Sequence, residues 1–173
     1  ILKKNLKLKY KNIDAIFTLH RPENVDSKDR LIKIIRMLKS WTRNNKILFP
    51  IHPRTMKYLI SFDLVQSLEK IDNLTICNSL NYNDFLLQVC NSKFIITDSG
   101  GIQEETSYLG IPCFTIRNNT ERPITISKGT NKLVKINEIS GYLKNIKKKR
   151  VRISKWDGNT SLRILKILKN KFL

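Results

Sequence analysis

The chain has 173 residues, with 33 lysines and arginines against 14 acidic residues, and its formal net charge at pH 7 is +19. Its length allows one domain with a buried core and is short for two. The basic residues are spread along the chain without a zinc-finger or RNA-recognition motif, so we expect anionic ligands but no nucleic-acid partner.

Composition argues against two further classes of protein. The three cysteines, Cys77, Cys90 and Cys113, are far apart and odd in number, which favours reduced buried thiols over a disulfide framework. No apolar run approaches the roughly 20 residues that span a bilayer, and the chain has no recognisable signal peptide. We therefore expect a cytoplasmic protein with no membrane partner.

Short apolar segments alternate with helical patterns along the chain. The predicted strands are Ala15–Leu19, Ile47–Ile51, Leu74–Cys77, Phe94–Thr97, Cys113–Ile116 and Leu133–Ile136. They lack strict polar alternation, which is typical of strands that are buried on both faces of a parallel sheet. The predicted helices are Asp29–Thr42, Thr55–Glu69, Tyr82–Cys90, Ile102–Leu109, Ile136–Lys147 and Ser161–Phe172. This alternation predicts an α/β fold, a doubly wound and mostly parallel Rossmann-like sheet with helices on both faces.

The unusual polar residues follow four of the predicted strands at their carboxyl ends. These loops are His20–Asn24 after the first strand, His52–Pro53 after the second, Ser99–Gly101 after the fourth and Arg117–Pro123 after the fifth. Doubly wound sheets bind their ligands at this edge. The convergence of four polar loops there predicts a binding site.

The most specific of these loops runs from Asp98 to Gly101, between an apolar strand and a helix that starts at once. The first N–H groups of such a helix have no intrahelical partner and lie at the positive end of its dipole. Gly100 and Gly101 allow a ligand to approach the backbone closely, and the Ser99 hydroxyl adds a donor. The turn therefore predicts a site for a phosphate or diphosphate.

Several residues near this turn have both a structural and a functional interpretation. The polar neighbours of His20 favour contact with a ligand over a purely structural histidine, and an imidazole can protonate a leaving group. Glu104 and Glu105 suit the positive end of a helix, and either is also suited to accept hydrogen bonds from a ribose. Arg122 either pairs with Glu121 at the surface or binds phosphate oxygens.

Other residues give weaker signals. His52 either turns the chain into the next helix or faces a ligand. Phe85 has the helical spacing of a core residue, and on spacing alone that is its expected place. The two histidines and the scattered carboxylates have no metal-ligand spacing, so we expect no metal site.

Six segments match the motifs of a known family in order and in spacing. They are HRPENVD (His20–Asp26), PIHPRT (Pro50–Thr55), TDSGGIQEE (Thr97–Glu105), LGIPCFTIRNNTERP (Leu109–Pro123), GTNKLV (Gly129–Val134) and WDGNTS (Trp156–Ser161). They resemble the non-hydrolysing UDP-N-acetylglucosamine 2-epimerases, which have the two-domain GT-B fold. The resemblance implies that residues 1–173 form the C-terminal nucleotide-binding domain, with a last helix at about 159–173, and that the N-terminal domain is absent here.

The resemblance also implies roles for individual positions. His20 is expected to contact the diphosphate and assist catalysis, and Ser99, Gly100, Gly101 and Arg122 to bind the phosphates. Glu105 is expected to bind the ribose hydroxyls, Phe85 to flank the uracil in place of a core role, and Leu80 to contact the uracil edge through its backbone. His52 corresponds to a histidine near a regulatory substrate-binding site in some bacterial members.

The family reaction eliminates UDP from the sugar while a proton leaves C2, and UDP then adds back to the glycal intermediate. It needs no cofactor, and its general base and acid come from the N-terminal domain. The isolated chain is thus expected to bind UDP weakly and to catalyse nothing. The expected substrates are UDP-GlcNAc and UDP-ManNAc or a related UDP-N-acetylhexosamine, and a homodimer is expected for the full-length protein. The alternatives are a GT-B glycosyltransferase, a hydrolysing 2-epimerase and, more remotely, a basic nucleic-acid-binding module.

Overall fold

The computed structural model describes residues 7–143 and 146–172. The strands within them are β1 Ala15–Phe17, β2 Ile47–Ile51, β3 Leu74–Asn78, β4 Phe94–Thr97, β5 Cys113–Thr115 and β6 Asn131–Leu133. They form a parallel six-stranded sheet in the order β3-β2-β1-β4-β5-β6. The order reverses between β1 and β4, and a doubly wound sheet has its ligand crevice at such a point. The predicted α/β fold is confirmed.

The segments between the strands are mostly helical. The helices of the described residues are α1 Pro22–Val25, α2 Lys28–Trp41, α3 Pro53–Ser61, α4 Val65–Glu69, α5 Tyr82–Asn91, α6 Gly100–Leu109, α7 Pro123–Ser127, α8 Ile139–Tyr142 and α9 Thr160–Phe172, with a 3-10 turn at Ile136–Glu138. The short helices α1 and α7 were not predicted, because so few residues have no readable apolar period. Both begin with a proline, which is favoured at the first helical position.

The core lies on both faces of the sheet, because successive residues of a strand point in opposite directions. On one face, the ring of Phe17 packs edge-on against Phe49 and Trp41, with centroids 4.6 and 6.2 Å apart. On the other face, Ile16 packs with Val89 of α5. Helices therefore cover both faces, as the sequence predicts.

The last strand begins and ends earlier than the predicted strand Leu133–Ile136 and shares only Leu133 with it. It starts at Asn131, which is buried. The Thr115 hydroxyl donates to Asn131 Oδ1 at 2.6 Å, and Asn131 Nδ2 donates to Gln103 Oε1 at 3.0 Å and to Thr125 Oγ1 at 3.1 Å. A buried polar side chain with all these partners satisfied fits inside a strand, but hydropathy does not reveal it.

The single helix predicted at Thr55–Glu69 is wrong, because the chain turns between α3 and α4. Asp63 has a φ of +57°, a left-handed conformation that does not continue a helix. The N–H of the next residue, Leu64, donates to the carbonyl oxygen of Leu59 at 2.9 Å and folds the chain back. Leu64 is buried in the core, so the apolar spacing continues across a turn.

The helix predicted at Ile136–Lys147 is also shorter in the structure. It consists of the 3-10 turn and α8, and Ile146 and Lys147 are not helical. Residues 144 and 145 lie outside the described residues, as does residue 173 at the end of the predicted last helix. The predicted last helix is present as α9, and its leucines and isoleucines are exposed. It therefore adds nothing to the buried core of the sheet.

We expect Gly110→Ala to destabilise the fold by about 1–3 kcal/mol. Gly110 ends α6 with a φ of +72°, and a Cβ there would lie 2.5 Å from the carbonyl oxygen of Lys149. The free energy of unfolding in urea measures the effect. Gly141→Ala in α8 is the matched control, because a Cβ there meets nothing within 4 Å. Equal unfolding midpoints for the two variants would contradict the expectation.

Candidate active site

The carboxyl ends of β1 and β4 bring His20 and Asp98 together. The two strands are neighbours in the sheet, and Thr18 and Thr97 join them near this end through a hydroxyl–hydroxyl hydrogen bond of 2.7 Å. His20 Nδ1 lies 3.0 Å from Asp98 Oδ1. A proton on Nδ1 satisfies this contact, which leaves the second ring nitrogen, Nε2, for a ligand. The pair stands at the point where the strand order reverses.

The Asp98 carboxylate holds the loop that carries His20. It is buried and accepts hydrogen bonds from the backbone N–H groups of His20 at 3.1 Å and Arg21 at 2.8 Å. Burial alone favours the neutral acid, but the His20 side chain and these N–H donors outweigh it, so the pKa of Asp98 is lowered. Asp98 is therefore an anion at neutral pH, with a geometry that fixes the imidazole.

Asn24 extends this network to a third strand end. Its side-chain Nδ2 donates to Asp98 Oδ2 and to the carbonyl oxygen of Ile116, which follows β5, both at 3.1 Å. Its Oδ1 accepts from Nε and Nη2 of Arg30 at 3.3 and 3.1 Å. Asn24 is buried and uses both ends of its amide, so it links α1 to β4, β5 and α2.

The glycine turn has the geometry that its sequence predicts, with α6 beginning at Gly100. Ser99 stands at the N-cap, but its hydroxyl makes no capping hydrogen bond. A Cβ built on Gly101 meets nothing within 4 Å, and one on Gly100 meets only Glu121 Oε2 at 3.9 Å. Protein packing therefore does not require these glycines. Gly101 is exposed, and the first N–H groups of α6 have no partner within their own helix.

Arg122 pairs with Glu104 of α6. Its Nε lies 3.1 Å from Glu104 Oε1, and both side chains are partly exposed. The alternative of an Arg122–Glu121 ion pair is wrong, because the Glu121 carboxylate bonds Arg117 at 2.7 and 2.9 Å. Those bonds lower the pKa of Glu121 to about 2. An exposed pair such as Arg122–Glu104 contributes at most about 1 kcal/mol, so Arg122 is easily released to an anionic ligand.

Glu105 and Glu104 both line a cavity of about 430 Å³ between α5, α6 and the segment before α9, together with Tyr82, Tyr108 and Trp156. The two glutamates differ in that Glu104 also forms the ion pair with Arg122. Burial raises the pKa of Glu105, and the neighbouring Glu104 adds to the shift while the Tyr82 hydroxyl opposes it. One glutamate thus pairs with arginine, and the other stands beside aromatic rings, where hydroxyl groups are suitable partners.

His52 both caps α3 and approaches His20. Its Nδ1 accepts a hydrogen bond from the backbone N–H of Arg54 at 3.1 Å, and its ring centroid lies 5.3 Å from that of His20. Burial and the neighbouring His20 lower the pKa of His52. The two interpretations of His52 are therefore compatible, since one histidine caps a helix and borders the crevice.

Phe85 lies in α5, and Leu80 precedes that helix. Phe85 is half-buried and packs against the apolar residues between α5 and the sheet. Leu80 is half-buried in the loop between β3 and α5. Phe85 thus has the core contact expected from its helical spacing, with part of its ring still accessible. The uracil contacts of both residues stay predictions.

Comparison with known proteins identifies the family. The model of the UDP-N-acetylglucosamine 2-epimerase family matches residues 2–169. This chain belongs to that family. It is 39% identical over 158 residues to a UDP-N-acetylglucosamine 2-epimerase homolog of Methanococcus maripaludis, an alignment that covers 88% of this chain and 43% of the relative. It is 44% identical over 121 residues to the 2-epimerase of Methanocaldococcus jannaschii, covering 69% of this chain and 33% of that enzyme.

A solved epimerase has the same fold. The crystal structure of the Methanocaldococcus jannaschii UDP-GlcNAc 2-epimerase in complex with UDP-GlcNAc and UDP superposes with a TM-score of 0.82 and 36% sequence identity. The superposition covers 92% of this chain and 46% of that enzyme. The epimerase-family chain therefore spans about half the length of its relatives, as one domain of a GT-B-like enzyme would.

The carboxyl ends of the strands in this epimerase-family chain bring together several of the residues that the sequence singles out. His20 and His52 lie side by side, and Ser99 opens the glycine turn beside Asp98. Sequence reasoning missed the role of Asp98 itself and of Asn24, although an aspartate directly after a buried strand and before two glycines is a readable signal. The contacts between Asp98 and the loop His20–Asn24 could not be derived, because these residues are 74 to 78 positions apart.

The part of the epimerase-family chain that the structure describes contains neither a cluster of metal ligands nor a helix that could span a membrane. No three histidine, cysteine, aspartate or glutamate side chains come close enough together to hold a metal ion. No helix there has both the length and the apolar character that crossing a membrane requires.

Proposed function

We propose that this chain is the UDP-binding, C-terminal half of an enzyme that interconverts UDP-GlcNAc and UDP-ManNAc. Family membership and the likeness to an epimerase solved with UDP-GlcNAc and UDP support the reaction class. The observation that carries the proposal is the His20–Asp98 pair, held 3.0 Å apart beside the open glycine turn. A proton donor thus stands next to a site for a diphosphate.

The glycine turn binds the diphosphate of UDP. The free N–H groups at the start of α6 and the Ser99 hydroxyl donate to its oxygens, and the helix dipole favours its charge. Arg122 leaves Glu104 and adds its guanidinium donors. Departure of UDP builds negative charge on the diphosphate, so donors that are already in place lower the barrier to elimination.

His20 serves the same leaving group. In its imidazolium form, His20 donates one proton from Nδ1 to Asp98 and the other from Nε2 to a diphosphate oxygen as the bond between that oxygen and C1 of the sugar breaks. A proton leaves C2 in the same overall elimination and a glycal forms. UDP then adds back to C1, and a proton returns to C2 from the opposite face. The base and acid at C2 belong to the part of the enzyme outside this chain.

The nucleoside lies against α5 and α6. Glu105 accepts hydrogen bonds from the ribose hydroxyls, beside the Tyr82 phenol. Phe85 offers the exposed part of its ring to the uracil, and the backbone at Leu80 contacts the uracil edge. His52 responds to a second substrate molecule, and the 5.3 Å between its ring centroid and that of His20 supports such a contact.

Epimerisation of UDP-GlcNAc by the full-length protein in heavy water tests this function. Because the C2 proton is lost and replaced from solvent, we expect one deuterium at C2 of both UDP-GlcNAc and UDP-ManNAc recovered from the reaction. Mass spectrometry and proton NMR detect it, with the reaction in ordinary water as control. Unlabelled UDP-sugar with transfer to an acceptor would indicate a glycosyltransferase, and free ManNAc would indicate a hydrolysing epimerase. Either result rejects the proposal.

A further inference from the structure

A second, strongly basic cavity shares no lining residue with the glycine turn. It has a volume of about 500 Å³ and opens between α2, the loop after β5 and the segment after β6. Its cationic residues are Arg30, Lys33, Arg36, Arg117 and Lys135. These are half of its ten lining residues, whereas lysine and arginine are 33 of 173 in the chain, and no carboxylate is among the ten. The general basicity of the chain therefore does not account for the cavity.

Most of these cations have no carboxylate partner in the structure. Arg117 is neutralised by Glu121, but Arg30 bonds only the neutral amide of Asn24. Among the ion pairs of residues 7–143 and 146–172, none involves Lys33, Arg36 or Lys135. Four of the five positive side chains around this cavity, all except Arg117, thus have no carboxylate partner among the described residues.

The nearby carboxylates do not fill the cavity. Glu138 accepts a hydrogen bond from the backbone N–H of Lys135 at 3.0 Å, so it caps the turn there. Glu23 and Asp29 line a neighbouring cavity of about 400 Å³, which shares Arg30, Lys33, Arg117 and Asn118 with the basic one. Glu23 approaches Arg117 at 3.5 Å, and no carboxylate lines the basic cavity itself.

The arrangement of these charges is unfavourable without a ligand. Arg30, Lys33 and Arg36 follow one another at three-residue spacing on α2, where like charges on one face repel. The lining also contains the apolar side chains of Met37, Val134 and Ile136. Apolar walls around charges of a single sign strengthen the local field, which attracts anions.

We propose that this cavity binds a phosphate group, as inorganic phosphate or as the monoester of a small molecule. The guanidinium groups of Arg30 and Arg36 suit the tetrahedral oxygens of phosphate, and the ammonium groups of Lys33 and Lys135 add point charges. The site is separate from the diphosphate site at α6. Arg30 belongs both to this cavity and to the hydrogen-bond network of Asn24 and Asp98. A ligand that contacts Arg30 therefore touches a residue that is bonded to Asn24, which in turn bonds Asp98.

Phosphate titration of the full-length protein with UDP at saturation tests the site, because UDP blocks the glycine turn. Calorimetry at constant ionic strength is the measurement. We expect saturable binding by the wild type and at least a tenfold loss of affinity in Lys33→Gln/Arg36→Gln/Lys135→Gln. Lys33→Gln alone, at an exposed position, is expected to lose about threefold. The matched control, Lys28→Gln/Lys39→Gln/Lys57→Gln, removes equal charge outside the cavity and is expected to stay within twofold.

Two results would overturn the proposal. One is the absence of saturable binding of both inorganic phosphate and glucose 6-phosphate while UDP is bound. The other is an equal loss of affinity in the cavity variant and its control, which indicates non-specific attraction to a basic surface. If binding is present and specific, the tighter of the two probes distinguishes free phosphate from a phosphate monoester.

Discussion

Replacement of Asp98 by asparagine in the full-length protein is expected to lower kcat for epimerisation by about 10²- to 10⁴-fold. The asparagine amide can donate a hydrogen bond to His20 Nδ1. The lone pair of Nδ1 then points toward residue 98, and the imidazole carries its ring proton on Nε2. A neutral imidazole in that tautomer can donate a hydrogen bond but cannot give up the proton to UDP. Steady-state assay of UDP-ManNAc formation measures the loss.

The control separates this positioning role from a loss of stability. Asp98→Asn also disturbs buried N–H donors and is expected to cost about 1–3 kcal/mol of folding free energy, so the assay is run where circular dichroism shows a folded protein. Asp14→Asn is the matched control. Asp14 likewise accepts a backbone N–H, from Lys46, and pairs with Lys93, but before β1 and far from the crevice. Comparable losses of kcat in both variants would contradict the role of Asp98.

The second large effect is expected on UDP binding. In Ser99→Ala/Arg122→Ala, the affinity for UDP falls about a hundredfold or more, because each change removes a hydrogen bond to a charged phosphate. Calorimetry with UDP on the wild type and the variant measures this loss. Neither side chain contributes to the core, since Ser99 makes no capping bond and Arg122 pairs only at the surface. The folded state is therefore expected to survive both changes.

Ser61→Ala/Arg43→Ala is the control for UDP binding, since it removes the same groups from exposed positions away from the crevice. We expect this control to bind UDP as the wild type does. Unchanged UDP affinity in Ser99→Ala/Arg122→Ala would remove the basis for the diphosphate site. Indifference to UDP, together with salt-sensitive binding of oligonucleotides, would instead favour a basic nucleic-acid-binding module.

The strands were predictable because each buried strand is a continuous apolar run. β6 was the exception. The burial of Asn131 is stabilised by hydrogen bonds to residues of other elements, which the hydropathy of the strand does not reveal. The break between α3 and α4 could not be predicted from hydropathy either, although here the apolar pattern is present and misleading. There the apolar spacing continues through Asp63, and only the backbone conformation ends the helix.

The candidate active site likewise has features that the sequence predicts and features that it does not. The anion-binding turn was readable from Ser99, Gly100 and Gly101, because a strand, two glycines and a helix are contiguous in the sequence. The ion pairs of the neighbouring loop were not readable. The adjacent residues Glu121 and Arg122 suggested a local pair, yet each bonds a different partner, Arg117 and Glu104.

The sequence by itself determined the alternation of strands and helices, the glycine turn at the start of α6 and the motifs of the epimerase family. Local patterns suffice for these features, because each depends on residues that are close in the chain. Only the tertiary structure decided that Asp98 supports His20, that His52 lies beside His20 and that basic residues of α2 and of the segment after β6 share a cavity. Those relations follow from the order in which the strands pair, which joins residues tens of positions apart at one edge of the sheet.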